Sequence, residues 1–132
     1  MEGRITEHPI VRFERGKQVI FHFEGKPMKA YANETIAAAL YANGLRIFSR
    51  SMKYHRPRGF FCAIGRCSSC MMTVNGVPNV RTCMVNVQDD MQVSRQNAFP
   101  SADHDGLSII DKLGFYFSLD NSLHAIPNAD LD

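Results

Sequence analysis

Four cysteines constrain this chain of 132 residues more than any other feature, because all of them fall within one short stretch. They follow the pattern C-x4-C-x2-C-x12-C, at Cys62, Cys67, Cys70 and Cys83. A tight loop can bring the first three thiols together. Asn75-Gly76 is a strong signal for a two-residue hairpin turn, and a hairpin at that point would return Cys83 towards Cys70. The spacing therefore predicts four thiols at one site.

A [2Fe–2S] cluster, a zinc ion or disulfide bonds could each explain such a group of cysteines. The first three have the spacing that holds a [2Fe–2S] cluster in plant-type ferredoxins. Structural zinc sites usually combine two C-x2–4-C pairs, whereas only Cys67 and Cys70 form one here. Disulfides suit secreted proteins, and the polar N-terminus has no apolar signal segment. We favour the cluster and a cytoplasmic location, with zinc and disulfides as the alternatives.

The residues around the cysteines have roles that their chemistry predicts. Gly59 and Gly65 would allow the loop to fold around a cofactor and bring backbone N–H groups near the sulfurs. One of Met71 and Met72 is expected to pack into the core and shield the cluster. The predicted ligands and cofactor-binding residues are Cys62, Cys67, Cys70 and Cys83, with Gly59, Gly65 and Arg66 as the supporting loop.

Composition and charge exclude several classes of function. The net charge of +2 is too small to predict nucleic-acid binding. No apolar stretch approaches the ~20 residues of a transmembrane helix. No nucleophile elbow, phosphate loop or dinucleotide fingerprint is present, so we expect no catalytic residue and no substrate site on this chain.

The patterning of the chain predicts an α+β fold in two layers. A helix should begin with Asn33 as N-cap and end before Gly44, with an apolar face formed by Ile36, Ala37, Leu40 and Tyr41. Strands are predicted at 18–23, 27–32, 46–49, 71–74, 80–85 and 91–95.

Three regions follow from these elements: an N-terminal arm at 1–17, a domain at 18–97 and a C-terminal extension at 98–132. The extension contains Asp103-His104-Asp105 as a helix entry, an amphipathic helix at 107–113 and three aromatic residues at 115–117. Such aromatics are typical interface anchors, so we expect the extension to pack on a partner subunit. The remaining histidines are expected to be structural or surface residues: His8, His22, His104 and His124.

A basic run precedes the cysteine loop and consists of Lys53, His55, Arg56 and Arg58. Positive charge beside an anionic cluster could dock a partner or raise the reduction potential. The alternative interpretation is a solvated loop. His55 is not expected to bind metal, because four thiolates suffice.

Two motifs carry a resemblance to a known family. The string RSMKYHRPRG at 50–59, together with the helix at 34–40, resembles the small N-terminal ferredoxin-like domain of the sarcosine oxidase α subunit. The short gap before Cys83 is similar to that of the succinate dehydrogenase iron–sulfur subunit. In sarcosine oxidases the domain generally lacks the cluster cysteines. Relatives keep them on a separate small subunit, as in dye-linked proline and hydroxyproline dehydrogenases and hydrogen cyanide synthase.

The resemblance implies a β-grasp, plant-type ferredoxin-like fold with one main helix on a small mixed sheet. It also implies one [2Fe–2S] cluster on this chain and FAD on partner subunits, with FMN as a further candidate. The expected function is that of a non-catalytic electron-transfer subunit of a multi-subunit flavin-dependent oxidoreductase acting on CH–NH groups. The alternatives are a free-standing ferredoxin and, less favoured, a zinc-stabilised interaction module.

Overall fold

The computed structural model describes residues 3–98 and 101–109. Its elements in chain order are β1 (Gln18–Phe23), β2 (Lys26–Tyr31), α1 (Ile36–Ala42), β3 (Ser49–Arg50), β4 (Pro57–Arg58), β5 (Met71–Val74), β6 (Val77–Arg81), β7 (Gln92–Ser94) and a 3₁₀ turn (Gly106–Ser108).

Five of the strands form one mixed sheet in the order β2-β1-β7-β5-β6. β1 pairs with β7 in parallel, whereas the β1–β2, β5–β7 and β5–β6 pairs are antiparallel. β3 and β4 form a separate two-stranded ladder. The predicted α+β architecture, one main helix with a small mixed sheet, is confirmed.

The first hairpin has the predicted alternation. Val19, Phe21 and Phe23 are buried while Ile20 faces solvent, because successive side chains of a strand point to opposite faces of a sheet. Glu24 and Gly25 connect β1 to β2 with positive φ angles of 50° and 79°, as a tight hairpin turn requires.

The start of α1 differs from the prediction. Thr35, not Asn33, is the N-cap, and its Oγ1 accepts a hydrogen bond from the Ala38 backbone N–H at 3.3 Å. The Asn33 side chain instead accepts from Gly16 and donates to the Glu14 carbonyl. Asn33 therefore holds the N-terminal arm against the domain.

The end of α1 follows the sequence closely. Gly44 has a φ of 95°, and its N–H donates to the Tyr41 carbonyl at 3.0 Å. The Leu45 N–H donates to the Leu40 carbonyl at 3.0 Å. These two bonds form a Schellman motif, and Leu45 packs against the core.

The core lies between α1 and the sheet. The buried face of the helix consists of Ile36, Ala37, Ala39, Leu40 and Ala42. Tyr41, which was predicted on this face, is instead 45% exposed and contacts Phe60 at its ring, with centroids 5.9 Å apart. Met72 is fully buried, which confirms a core methionine after the cysteine loop.

Several strand limits differ from the predictions for local reasons. Asn75 and Gly76 have φ angles of 48° and 81°, so pairing resumes directly at Val77 and the returning strand ends at Arg81 rather than spanning 80–85. Pro78 is tolerated because β6 is an edge strand. The strand predicted at 46–49 begins only at Ser49, and its pairing with β4 was not predicted.

The ends of the chain are described only in part. Asp105 caps the 3₁₀ turn by accepting a hydrogen bond from the Leu107 N–H at 3.1 Å, which confirms a helix entry there. The rest of the helix predicted at 107–113, and the aromatic anchor at 115–117, lie outside the described residues.

Candidate metal centre

Three of the four cysteines lie in the loop before β5, and the β5–β6 hairpin brings the fourth back towards them. Cys70 immediately precedes β5, and Cys83 follows the end of β6 by two residues. Thr82 donates to the Cys70 carbonyl through its backbone N–H at 3.3 Å and its hydroxyl at 2.7 Å. Cys83 is therefore returned to Cys70 as predicted, although it lies after the strand and not within it.

The thiols form two pairs in the structure. The backbone N–H of Cys67 donates to the Cys62 sulfur at 3.3 Å, and their side chains also share a hydrogen bond. A second side-chain hydrogen bond joins Cys70 and Cys83. The Cys70–Cys83 pair is buried, whereas Cys62 and Cys67 are partly exposed. One pair thus lies in the core and the other near the surface.

The backbone around Cys62 favours its thiolate form. N–H groups of Cys67, then of Ile64 and Arg66, lower the pKa of Cys62 to about 6. Thiolate is the form that binds metal, so these donors favour metal binding at Cys62.

Cys83 shows the opposite tendency. Burial, followed by the hydrogen bond from Cys70, raises the pKa of Cys83, and the Gly65 N–H only partly offsets this. The positive charge of a bound metal would favour the Cys83 thiolate against this tendency.

The pairing of the thiols bears on which metal group they could hold. Within the part of the chain that the structure describes, no three His, Cys, Asp or Glu side chains are placed to hold one metal ion together. A tetrahedral zinc site would need its four ligands around one point, whereas the two irons of a [2Fe–2S] cluster share four thiolates. The two pairs, which also interact with each other through Cys62 and Cys83, match the sharing of four thiolates between two irons.

The supporting glycines act in two different ways. Gly65 has a φ of 70°, and a Cβ built there would lie 2.8 Å from the Met84 Cγ. Gly59 has no positive φ, but its Cβ would lie 3.2 Å from the Arg46 carbonyl oxygen. Arg66 is exposed and contributes its backbone N–H to Cys62. The role of Met84 was not predicted, since no local pattern places it over Gly65.

The basic run divides into two parts. Arg58 approaches the cysteine loop, with its Nη1 3.5 Å from the Ser68 hydroxyl. His55 is buried and pairs with Asp105 through Nδ1 and Oδ2 at 2.9 Å, so the solvated-loop interpretation does not hold for it. Lys53 and Arg56 lie over the Tyr54 ring at 5.0 and 4.9 Å.

Arg50 is a residue of this region that the sequence patterns did not single out. Its guanidinium donates to the carbonyls of Ala102 and His55, at 2.8 and 2.9 Å. The partners lie as far as 52 positions away along the chain, and no local pattern reports such a contact.

Other features lie away from the cysteines. An open groove of about 530 Å³ separates the arm from α1, and none of the four cysteines lines it. Its Arg4 and Glu34 pair with each other at 2.8 Å. His8 accepts hydrogen bonds from two backbone N–H groups of the arm. The Nδ1 atom of His22 lies 3.4 Å from the Oδ1 atom of Asp90. His124 lies outside the described residues.

None of the helices described is long and apolar enough to cross a membrane.

Two curated proteins are similar in sequence to this chain. The sarcosine oxidase subunit alpha of Rhizobium meliloti is 36% identical over 92 residues, which are 67% of this chain and 9% of that subunit. The hydrogen cyanide synthase subunit HcnA of Pseudomonas aeruginosa is 33% identical over 91 residues, or 69% of this chain and 86% of that subunit. The chain thus corresponds to a small part of the first relative and most of the second.

A solved structure and a family model agree with these similarities. The crystal structure of L-proline dehydrogenase from P. horikoshii matches with a TM-score of 0.56 and 35% identity, over 67% of this chain and 17% of that chain. Residues 16–98 match the model of the 2Fe-2S iron-sulfur cluster binding domain. That match covers more than half of the sequence and all four cysteines, and the chain therefore belongs to the 2Fe-2S iron-sulfur cluster binding domain family.

Proposed function

We propose that this chain is the electron-transfer subunit of a multi-subunit, flavin-dependent oxidoreductase, with Cys62, Cys67, Cys70 and Cys83 as the ligands of one [2Fe–2S] cluster. The observation that carries the proposal is the arrangement of the thiols in two pairs, one buried and one partly exposed. When bound, such a cluster supplies one-electron transfer, accepting single electrons from a reduced flavin and passing them on.

The residues of this chain divide the work of holding that group. The core pair, fixed by Thr82 at the base of the hairpin, would anchor the cluster. The surface pair, surrounded by backbone N–H groups, would stabilise negative charge on the sulfurs and face the side by which electrons enter and leave.

The relatives support the larger assembly. Their names include a sarcosine oxidase subunit, a hydrogen cyanide synthase subunit and an L-proline dehydrogenase. We therefore propose a complex acting on CH–NH groups of an amino acid or secondary amine. FAD, with FMN as a further candidate, would reside on partner subunits. This chain would be non-catalytic, and the complex would lie in the cytoplasm.

Metal analysis and spectroscopy of the purified full-length chain test the cluster. We expect a red-brown protein with about two irons and two sulfides per chain, and a rhombic EPR signal after one-electron reduction. Cys70→Ser should lose both, whereas the matched Ser69→Ala should keep them. A colourless protein containing zinc would refute the cluster.

The state of the native protein tests the larger assembly. A tagged copy expressed in the source organism should retain flavin in a fixed ratio to iron through gel filtration. A monomer without flavin, fully active in electron transfer, would instead identify a free-standing ferredoxin.

A further inference from the structure

Three large apolar side chains that neighbour the cysteines in the sequence face solvent. Phe61, Ile64 and Met84 are 84%, 66% and 62% exposed; we call them the apolar collar. Phe61 precedes Cys62, Ile64 lies between Cys62 and Cys67, and Met84 follows Cys83. Exposed apolar side chains grouped beside a functional site are typical of an interaction surface.

The collar belongs to the cysteine loop itself. The Met84 side chain lies against Gly65, since a Cβ added there would meet its Cγ and Sδ at 2.8 and 3.0 Å. The Ile64 backbone N–H donates a hydrogen bond to Cys62. A surface that covers the collar would therefore also cover the exposed side of the thiol pair.

The charge around the collar has one sign in the sequence. The stretch from 35 to 88 contains no Asp or Glu, although the chain has 13 acidic residues. The same stretch carries seven cationic residues: Arg46, Arg50, Lys53, Arg56, Arg58, Arg66 and Arg81. Arg66 lies within the cysteine loop, and Arg58 contacts its Ser68. The complementary surface on a partner would be acidic.

We propose that the apolar collar, with Arg58 and Arg66 at its rim, is the docking surface for the flavin-bearing subunit. This rests on the proposed function and adds where the partner binds and what its surface contains: an apolar patch bordered by carboxylates. Cations that merely offset the negative charge of a cluster would explain the arginines, but not three exposed apolar side chains. Docking there would exclude water from the partly exposed cysteines, Cys62 and Cys67.

Hydroxyl-radical footprinting of the native complex, purified through a tagged copy of this chain, tests the location without any mutation. Labelling of Met84 and Phe61 should fall several-fold relative to the isolated cluster-loaded chain. Val77 is the internal control, because it is 58% exposed and lies at the turn end of the β5–β6 hairpin. Unchanged labelling of Met84 and Phe61, with protection confined to the exposed Ile10 and Phe13 of the arm, would overturn the proposal.

A pair of matched variants tests the energetics. Ile64→Glu places a carboxylate against the carboxylates proposed on the partner and should weaken binding of the flavin subunit by about tenfold or more. Val77→Glu adds the same charge at a similarly exposed position and should leave binding unchanged. EPR of each isolated variant must show the wild-type cluster signal. This control ensures that weaker binding of the flavin subunit is not caused by loss of the cluster.

The outcomes separate the two proposals. If the wild-type chain purifies without any flavin protein, the proposed function fails and the docking surface fails with it. If the wild-type complex contains flavin, but Ile64→Glu binds as well as Val77→Glu, the docking surface alone is refuted.

Discussion

The Nδ1 atom of His55 lies 2.9 Å from the Oδ2 atom of Asp105, and both side chains are buried. This contact joins the loop before the cysteines to a segment 50 residues later in the chain. Arg50 reinforces it by donating to carbonyls on both sides, those of His55 and Ala102. The segment at 101–105 thereby helps to fix the basic run beside the cysteine loop.

Removal of the Asp105 carboxylate should loosen this junction. Asp105→Ala leaves His55 without its partner and the 3₁₀ turn without its cap, so we expect a loss of about 1–3 kcal/mol in the free energy of unfolding. Thermal unfolding of the cluster-loaded chain, with proteolysis of the segment at 101–109, measures the effect. His104→Ala, at the exposed neighbouring position, should be nearly neutral. Equal stability of the two variants would contradict a structural role for the pair.

The contacts of this junction could not be predicted from the sequence, whereas several local features could. Local signals sufficed for the Asn75-Gly76 turn, the Gly44 helix end and the alternation of β1, because turn chemistry and periodicity act over a few residues. Thr35 replaced Asn33 as N-cap because tertiary contacts with the arm occupy the Asn33 side chain. The contacts of Arg50, Asp105 and Met84 depend on how distant segments meet, which no short pattern encodes.

Substitution of Gly65 should impair cluster assembly for two separable reasons. Gly65→Ala imposes a positive φ on a residue with a Cβ, at about 1–2 kcal/mol, and pushes that Cβ against Met84. Gly25→Ala is the matched control, because its φ is 79° but nothing lies within 4 Å of its Cβ. We expect a lower iron content in Gly65→Ala than in Gly25→Ala after identical reconstitution.

Met84→Ala distinguishes the two reasons in the same experiment. The Gly65→Ala, Met84→Ala double variant should recover part of the lost iron, since the clash is relieved while the backbone strain remains. No recovery would assign the whole effect to the backbone.

Arg58 should raise the reduction potential of the cluster. Its Nη1 lies 3.5 Å from the hydroxyl of Ser68, which follows Cys67 in the cysteine loop. A positive charge there favours the reduced, more negative cluster. Arg58→Gln should make reduction of the cluster less favourable by on the order of 1 kcal/mol, which lowers the one-electron reduction potential by about 40 mV. A redox titration followed by EPR measures this. Arg46→Gln, whose arginine donates to the Tyr41 carbonyl, serves as the control, and equal shifts in both variants would contradict a specific role for Arg58.

Arg95 links the ends of the domain and makes part of its stability depend on pH. Its nearly buried guanidinium contacts Glu24 at 2.8 Å and Asp103 at 2.5 Å. The hydrogen bond from Arg95 is the main cause of the lowered pKa of Asp103, and burial opposes it only partly. A lowered pKa means that the unfolded chain binds more protons in acid, so the stability that Asp103 contributes is complete above its ordinary pKa of 3.8 and is lost as pH falls below it.

We therefore expect the free energy of unfolding of the wild-type chain to fall more steeply than that of Asp103→Asn as the pH drops through this range. Denaturant unfolding at a series of pH values measures both slopes, and their difference removes the contributions that the two proteins share. In an Arg95→Gln background, Asp103→Asn should change the slope much less, because the cation that lowers the pKa is gone. Parallel curves for wild type and Asp103→Asn would show that the Arg95–Asp103 contact does not stabilise the fold.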